Sequence, residues 1–260
     1  KKIFKSTNGG LNWDSLSSAL DGNKILSIAV SYTSPDTLYA ATVPNSGGAN
    51  QMGFFKSTNG SANWTNITTG LPNRYPNKIA VDPADSRIVY AAFGGFGTSH
   101  VYKTTDGGSS WSDINGVLPD VPVQSIVIDP QISHNVYLGT DIGMYISTNS
   151  GTTWSSFGDG LPEAIMIFDL SISPANNTIR AATHGRGVYE RKLWPDSPLP
   201  VELNSFVSFV NENNVTLKWE TLSEQNNREF VVEKKKAGGE WSFAGKVNGA
   251  GNSQVKSFYS

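Results

Sequence analysis

Three histidines, 22 Asp and Glu and 20 Lys and Arg carry whatever acid–base or metal chemistry this chain performs. Cysteine is absent, which excludes thiolate nucleophiles, disulfides and cysteine metal sites. His100, His134 and His184 stand far apart, without the short spacing of a zinc site, and no metal is expected. A loop rich in Asp and Asn can bind Ca2+ through oxygen ligands, but no EF-hand-like spacing supports one, and no cofactor is expected. A pair of carboxylates can divide the roles of general acid and base. Asp120, Asp141, Asp159 and Glu163 fall between apolar segments and are the acids available for that task. Asp82 and Asp129 each precede proline and read as turn residues instead.

The elements that position these groups are repeats. Four segments align: Lys5 to Trp13, Lys56 to Trp64, Lys103 to Trp111 and Ile146 to Trp154. Their tryptophans are 51, 47 and 43 residues apart. Each segment follows an apolar or aromatic pair: Ile3-Phe4, Phe54-Phe55, Val101-Tyr102 and Met144-Tyr145. A turn like Gly70-Leu71-Pro72 comes after the Trp. Next comes an apolar strand closed by proline, as in Ile79-Ala80-Val81-Asp82-Pro83, then a small-residue strand such as Val89-Tyr90-Ala91-Ala92. Each unit therefore reads as four short strands: A (before the proline), B (Tyr-Ala-Ala), C (before the aligned segment) and D (from the Trp). Four strands every 40–50 residues or so mark a β-propeller blade, whereas helical repeats would show 3.6-residue periodicity.

Between strands C and D, Asn8, Asn59, Asp106 and Asn149 sit beside Ser, Thr and Gly. Such side chains bond to nearby backbone and hold a tight turn, with Gly supplying positive φ. Trp13, Trp64, Trp111 and Trp154 are expected to pack back across their hairpins as core. These eight residues read as fold elements, not reaction centres.

The pattern Ser-x-Asp/Asn-x-Gly-x-Thr/Ser-Trp resembles the Asp-box, or bacterial neuraminidase repeat. That repeat occurs in sialidases, xyloglucan-active glycosidases, sortilin-type receptors and photosystem assembly factors. The first two copies here lack the Thr or Ser before Trp. The resemblance spans residues 1–192, about four to five blades. The final copy, Ala182 to Glu190, has strands A, B and C but no box. The chain starts at Lys1 inside a repeat, so earlier blades are expected beyond it.

Residues 193–200 form a Pro-rich linker, and composition changes after it. Strands are expected at 201–210, 215–219, 229–234 and 241–245, which suggests a truncated β-sandwich over 201–260. Leu199-Pro200-Val201-Glu202-Leu203, Leu217-Lys218-Trp219-Glu220-Thr221 and Glu224-Gln225-Asn226-Asn227 resemble a fibronectin type III-like module. Such modules are common in proteins exported by Bacteroidetes-type bacteria, often by type IX secretion. Asp14-Ser15-Leu16 and Asp36-Thr37-Leu38 match the short O-glycosylation pattern of such bacteria.

The whole chain is thus expected to be all-β, a partial propeller followed by an incomplete sandwich. Hydrophobic residues make up 38%, with seven Trp, nine Tyr and twelve Phe, enough for a core. The net charge of −2 and the lack of a basic stripe exclude nucleic acid as the main partner. No apolar run is long enough for a transmembrane helix.

Strand order predicts two rims. A–B turns share one with the aligned C–D turns. B–C and D–A loops share the other, where propellers usually bind ligands. Pro44 to Met52 and Gly94 to His100 are long, Gly-rich B–C loops on this second rim. Arg74, Tyr75, His100, Asp141, His184 and Arg186 are its candidate ligand-binding residues. A sialidase resemblance implies an arginine triad, a Tyr–Glu pair and an acid Asp. Only Arg74 and Arg186 reach the rim, since Arg180 lies in a strand and Arg87 in an A–B turn. A xyloglucanase resemblance implies two facing carboxylates. The leading expectation is a secreted or cell-surface bacterial protein with a non-catalytic binding or structural role toward a glycan or protein. The alternatives are an extracellular glycoside hydrolase with catalytic residues partly in other blades, and a subunit of a surface layer or fibre. Oligomeric state is left open.

Overall fold

The structure, a computed structural model, describes residues 3–16, 20–44, 52–194, 201–212, 214–236, 238–253 and 255–260. Residues 45–51 of the first long loop, and 195–200 of the expected linker, lie outside the described residues. The protein is all-β; among the described residues the only helical piece is a single 3-10 turn, Pro174–Asn176. The chain divides into two compact units, Lys1–Leu193 and Trp194–Ser260.

The first unit is propeller-like. A two-stranded hairpin, β1 (Ile3–Lys5) and β2 (Asp14–Leu16), comes first. Three four-stranded antiparallel blades follow. Blade one holds β3 (Lys24–Val30), β4 (Leu38–Val43), β5 (Gly53–Ser57) and β6 (Thr65–Asn66). Blade two holds β7 (Pro76–Val81), β8 (Val89–Phe93), β9 (Val101–Thr104) and β10 (Ser112–Asp113). Blade three holds β11 (Val123–Ile128), β12 (Val136–Thr140), β13 (Gly143–Ser147) and β14 (Ser155–Ser156). Blade four has three strands, β15 (Ile167–Ser173), β16 (Thr178–Thr183) and β17 (Val188–Lys192).

Packing explains the composition of the second strands. β4, β8 and β12 are buried along their whole length, so they read as unbroken apolar or small runs. Small residues there let the next sheet approach. A Cβ on Gly139 would lie 2.7 Å from Ile167 Cγ2 of the following blade. Three cores fill the spaces between successive blades. They centre on Phe54, Ile79 and Phe93, on Tyr90, Ile126 and Leu138, and on Tyr137, Ile167 and Leu170. Leu193 also packs into the last core, and its N–H donates to Asn177 O at 3.0 Å.

Hydroxyls tie neighbouring inner strands together. Ile79 N–H donates to Ser27 Oγ at 3.0 Å, and Leu170 N–H to Ser125 Oγ at 3.1 Å. Each inner strand also breaks register once near its start, between Ile25 and Ser27, Pro76 and Lys78, Val123 and Ser125, and Ile167 and Asp169. The residue skipped at each bulge is Leu26, Asn77, Gln124 or Phe168, and a bulge re-aims the side chain it carries.

The second unit is one antiparallel sheet of β18 (Val201–Asn211), β19 (Asn214–Lys234), β20 (Ser242–Ser253) and β21 (Ser257–Tyr259). Among the described residues it forms one layer of the two that a sandwich needs. The strands expected at 215–219 and 229–234 are a single continuous strand, β19. It pairs with β18 along its first half and with β20 along its second, while β21 pairs with Trp219 to Thr221. Glu224 is buried at the midpoint of this strand, where the pairing passes from β18 to β20. Its carboxylate accepts from Thr221 Oγ1 (2.8 Å), Asn227 Nδ2 (2.7 Å), Ala250 N–H (2.8 Å) and the Tyr259 hydroxyl.

Candidate functional site

The aligned C–D turns come first, because they fix which rim is which. In blade two Thr104 Oγ1 donates to Asp106 Oδ1 (2.7 Å) and accepts from Gly108 N–H (2.9 Å). Asp106 then accepts from Ser110 N–H (2.9 Å) and Ser110 Oγ (2.6 Å). These bonds, Ser110 first, hold the exposed Asp106 carboxyl well below its ordinary pKa. Ser6 with Asn8, Ser57 with Asn59 and Ser147 with Asn149 repeat the arrangement. The turns of blades one to three each dock on the A–B turn of their own blade: Gly60 N–H donates to Asp36 O, Gly107 N–H to Arg87 O and Ser150 N–H to His134 O. Asp82 and Asp129 bond to backbone N–H groups two and three residues on, as turn residues do.

The tryptophans differ from expectation. Trp111 Nε1 donates to Ile67 O (2.9 Å) and Trp154 Nε1 to Ile114 O (2.8 Å), carbonyls of the preceding blade. They clamp blade to blade instead of folding back on their own hairpins. The turn glycines take part, since a Cβ on Gly108 or Gly151 would lie 2.5 Å from the Cδ1 of Ile67 or Ile114. Trp13 instead donates to Gly10 O in its own turn (3.1 Å) and is exposed.

The opposite rim is stitched by its own repeated bond. Gly94 N–H donates to Tyr75 O (2.8 Å), Asp141 N–H to Pro122 O (3.2 Å) and His184 N–H to Met166 O (3.0 Å). Each joins a B–C loop to the D–A loop beside it, so the sequence-derived candidates do share one face.

The B–C loop of blade two is anchored most heavily. His100 is fully buried, and its Nε2 lies 2.9 Å from Asp120 Oδ1. A carboxylate only accepts, so Nε2 carries the proton. Both Asp120 oxygens also accept Gly97 N–H at 2.9 Å. The His100 bond first, then the Gly97 bond, hold the Asp120 carboxyl below its ordinary pKa. His100 N–H donates to Asn115 Oδ1 (3.0 Å), and Ser99 Oγ bonds to Asp113. Gly95 and Gly97 have φ of 91° and 75°, which only glycine adopts without strain. These anchors hold Phe96 outward, 62% exposed; Tyr75, whose carbonyl accepts Gly94 N–H, is 65% exposed. The Arg74 side chain lies against Gly95.

Farther round, the bulge residues form a chain of side-chain amides. Asn77 Nδ2 donates to Val123 O (3.0 Å) and Gln124 Oε1 (3.1 Å), and Gln124 Nε2 donates to Asp141 Oδ1 (2.8 Å). The fourth bulge residue, Phe168, is half exposed and meets the His184 ring edge-to-face at 5.3 Å. Arg186 is exposed on the same loop as His184. Sequence reasoning missed Asn77, Gln124, Phe96 and Phe168. The bulges leave no local signature, but Phe96 in its Gly-rich loop was visible.

The structure gathers the candidate acids only in part. Asp120 is spent on His100 and Gly97, and Asp141 accepts from Gln124. Asp159 and Glu163 line one cleft of about 310 Å3 with Ile142, Tyr145 and Pro162. Among the described residues, no group of three or more His, Asp or Glu could hold a metal ion. No described helix is long and apolar enough to cross a membrane.

Asp120→Ala is expected to free the loop at Gly94 to His100, read as faster amide exchange at Gly97 with the rest of blade two unchanged. Lowering pH should act in the same direction. The folded pKa is depressed, so the latch is intact above the ordinary carboxylate range and is lost as pH falls through the folded value. Unchanged Gly97 exchange in the variant would remove Asp120 as the anchor.

No protein-family model matches the chain, and no curated protein sequence does. Solved structures do. The GH74 xyloglucanase of Xanthomonas campestris superposes with a TM-score of 0.57 at 16% identity, over 89% of this chain and 40% of that one. YCF48 from Cyanidioschyzon merolae gives 0.55 at 14% identity, over 74% and 61%. The GH74 enzyme of Niastella koreensis gives 0.51 at 21% identity, over 78% and 35%. The chain thus spans less than two thirds of these proteins' lengths. At such identities the likeness establishes one thing about this chain, its β-propeller fold.

Proposed function

We propose that this is an extracellular or cell-surface recognition protein, whose B–C and D–A rim binds a glycan or protein without transforming it. The observation that carries the reading is the loop at Gly94 to His100. Two carboxylates, Asp120 and Asp113, the buried His100 and the Asn115 amide hold an exposed Phe96 in place. Pre-ordering a loop to display an apolar tip lowers the entropic cost of binding. Arg74, Tyr75, Asp141, His184 and Arg186 share that rim, with His100 acting behind it. In this reading residues 1–192 are Asp-box blades, and 201–260 follow a linker as part of a fibronectin type III-like module. Export from a Bacteroidetes-type cell, by type IX secretion, accords with that architecture.

Asp159 and Glu163 favour a second reading. Two carboxylates lining one cleft are what a glycoside hydrolase requires. The test uses the full-length natural protein with sialylated glycans and plant β-glucans, scoring binding and release of reducing sugar. Binding without turnover is expected. Turnover abolished by Asp159→Asn or Glu163→Gln would overturn the binding reading in favour of hydrolysis.

A further inference from the structure

The rim carries two stations of like chemistry. At one, the Arg74 side chain lies against Gly95, and the next residue along the chain from each, Tyr75 and Phe96, is exposed. At the other, exposed Arg186 follows His184, whose ring meets half-exposed Phe168. Among the described residues the exposed Arg74 guanidinium donates Nη1 to Asn73 O at 3.3 Å, one of its five N–H donors. Between the stations in blade order run Asn77, Gln124 and Asp141, bonded in sequence as described above.

We propose that the rim binds an extended saccharide chain in which acidic sugars are separated by neutral ones. This rests on the reading of the rim as a binding surface. Each aromatic station stacks on the apolar face of a sugar ring. Each arginine pairs with a carboxylate or sulfate, which a planar guanidinium can engage through two parallel bonds. The middle of the track suits hydroxyls: Gln124 Nε2 keeps a second hydrogen after its bond to Asp141, and the Asp141 carboxylate has further acceptor capacity. It also disfavours an acidic sugar there, because the Asp141 carboxylate would repel it. A saccharide fits better than a protein. The exposed aromatics are separated by polar side chains and do not merge into the apolar centre of a protein interface.

The experiment is calorimetric titration of the full-length protein with three probes. They are hyaluronan oligosaccharides (uronate alternating with N-acetylglucosamine), polygalacturonate (every ring acidic) and neutral xyloglucan oligosaccharides. The alternating chain is expected to bind tightest, more weakly as salt is raised. Arg74→Ala and Arg186→Ala should each cost about tenfold in affinity, the scale of one lost charge-assisted bond. Arg87→Ala, on the opposite face and paired with Asp85 at 2.7 Å, should cost nothing. Equal affinity for xyloglucan with both rim arginine variants silent would overturn the acidic assignment. The rim reading would survive that result if Tyr75→Ala and Phe96→Ala still weakened binding. If they did not, it would fall as well. Binding of no saccharide, with a protein ligand that depends on Phe96, would overturn the saccharide and keep the rim.

Discussion

Trp154→Ala is expected to destabilise the first unit by about 3–5 kcal/mol, the range for truncating a buried aromatic. Trp154 is only 5% exposed and belongs to the core between blades two and three. Its loss removes that apolar area and leaves Ile114 O without its indole donor. Since the clamp joins two blades, the damage should spread beyond the hairpin that carries it. Amide exchange should rise in β10 and β11 as well as in β13 and β14. Denaturant titration and amide exchange of the variant decide the matter. A rise in exchange confined to β13 and β14, with β10 and β11 unchanged, would mean that the hairpin, and not the blade junction, is the unit that Trp154 stabilises.

Glu224→Ala should destabilise the second unit by at least about 3 kcal/mol, since one hydrogen bond to a charged group is worth about 1.5–3 kcal/mol. Four donors converge on this carboxylate, and one of them, Tyr259, stacks its ring on Trp219 at 5.4 Å. Burial by itself would raise the Glu224 pKa. The bonds from Tyr259, Asn227, Ala250 N–H and Thr221 outweigh it, and the net shift is downward. A depressed folded pKa contributes stability above the ordinary glutamate value of 4.5, and that contribution disappears as pH falls through the folded value. The wild-type sheet should therefore lose exchange protection along β19 in acid, and Glu224→Ala should show little further pH dependence over the same window. A variant with unchanged protection at residues 221–230 would remove Glu224 as the link between the halves of the strand.

Much of this was legible in the residues themselves. The recurrence of Trp13, Trp64, Trp111 and Trp154 gives blades, because one four-stranded unit cannot bury its faces alone and must repeat. The turn at Thr104 to Ser110 was readable too, since its bonds span two to four residues. The pairing of rims followed from strand order, because successive antiparallel strands put alternate connections at the same end of a blade.

Other features were decided only by tertiary structure. Trp111 and Trp154 bond to carbonyls 44 and 40 residues earlier, and no local pattern states that such a ring reaches its neighbour instead of its own hairpin. A bulge at Asn77 or Gln124 looks like ordinary alternation until the partner strand shows which residue is skipped. Glu224 entered the sequence reading only as part of the Glu224 to Asn227 segment; the fold alone brings Ala250 and Tyr259 to it. Sequence periodicity reports which face a side chain takes within its own strand. What that face meets depends on segments tens of residues away, so the scaffold was written in the repeats, and the anchors, clamps and rim stations emerged where separate repeats touch.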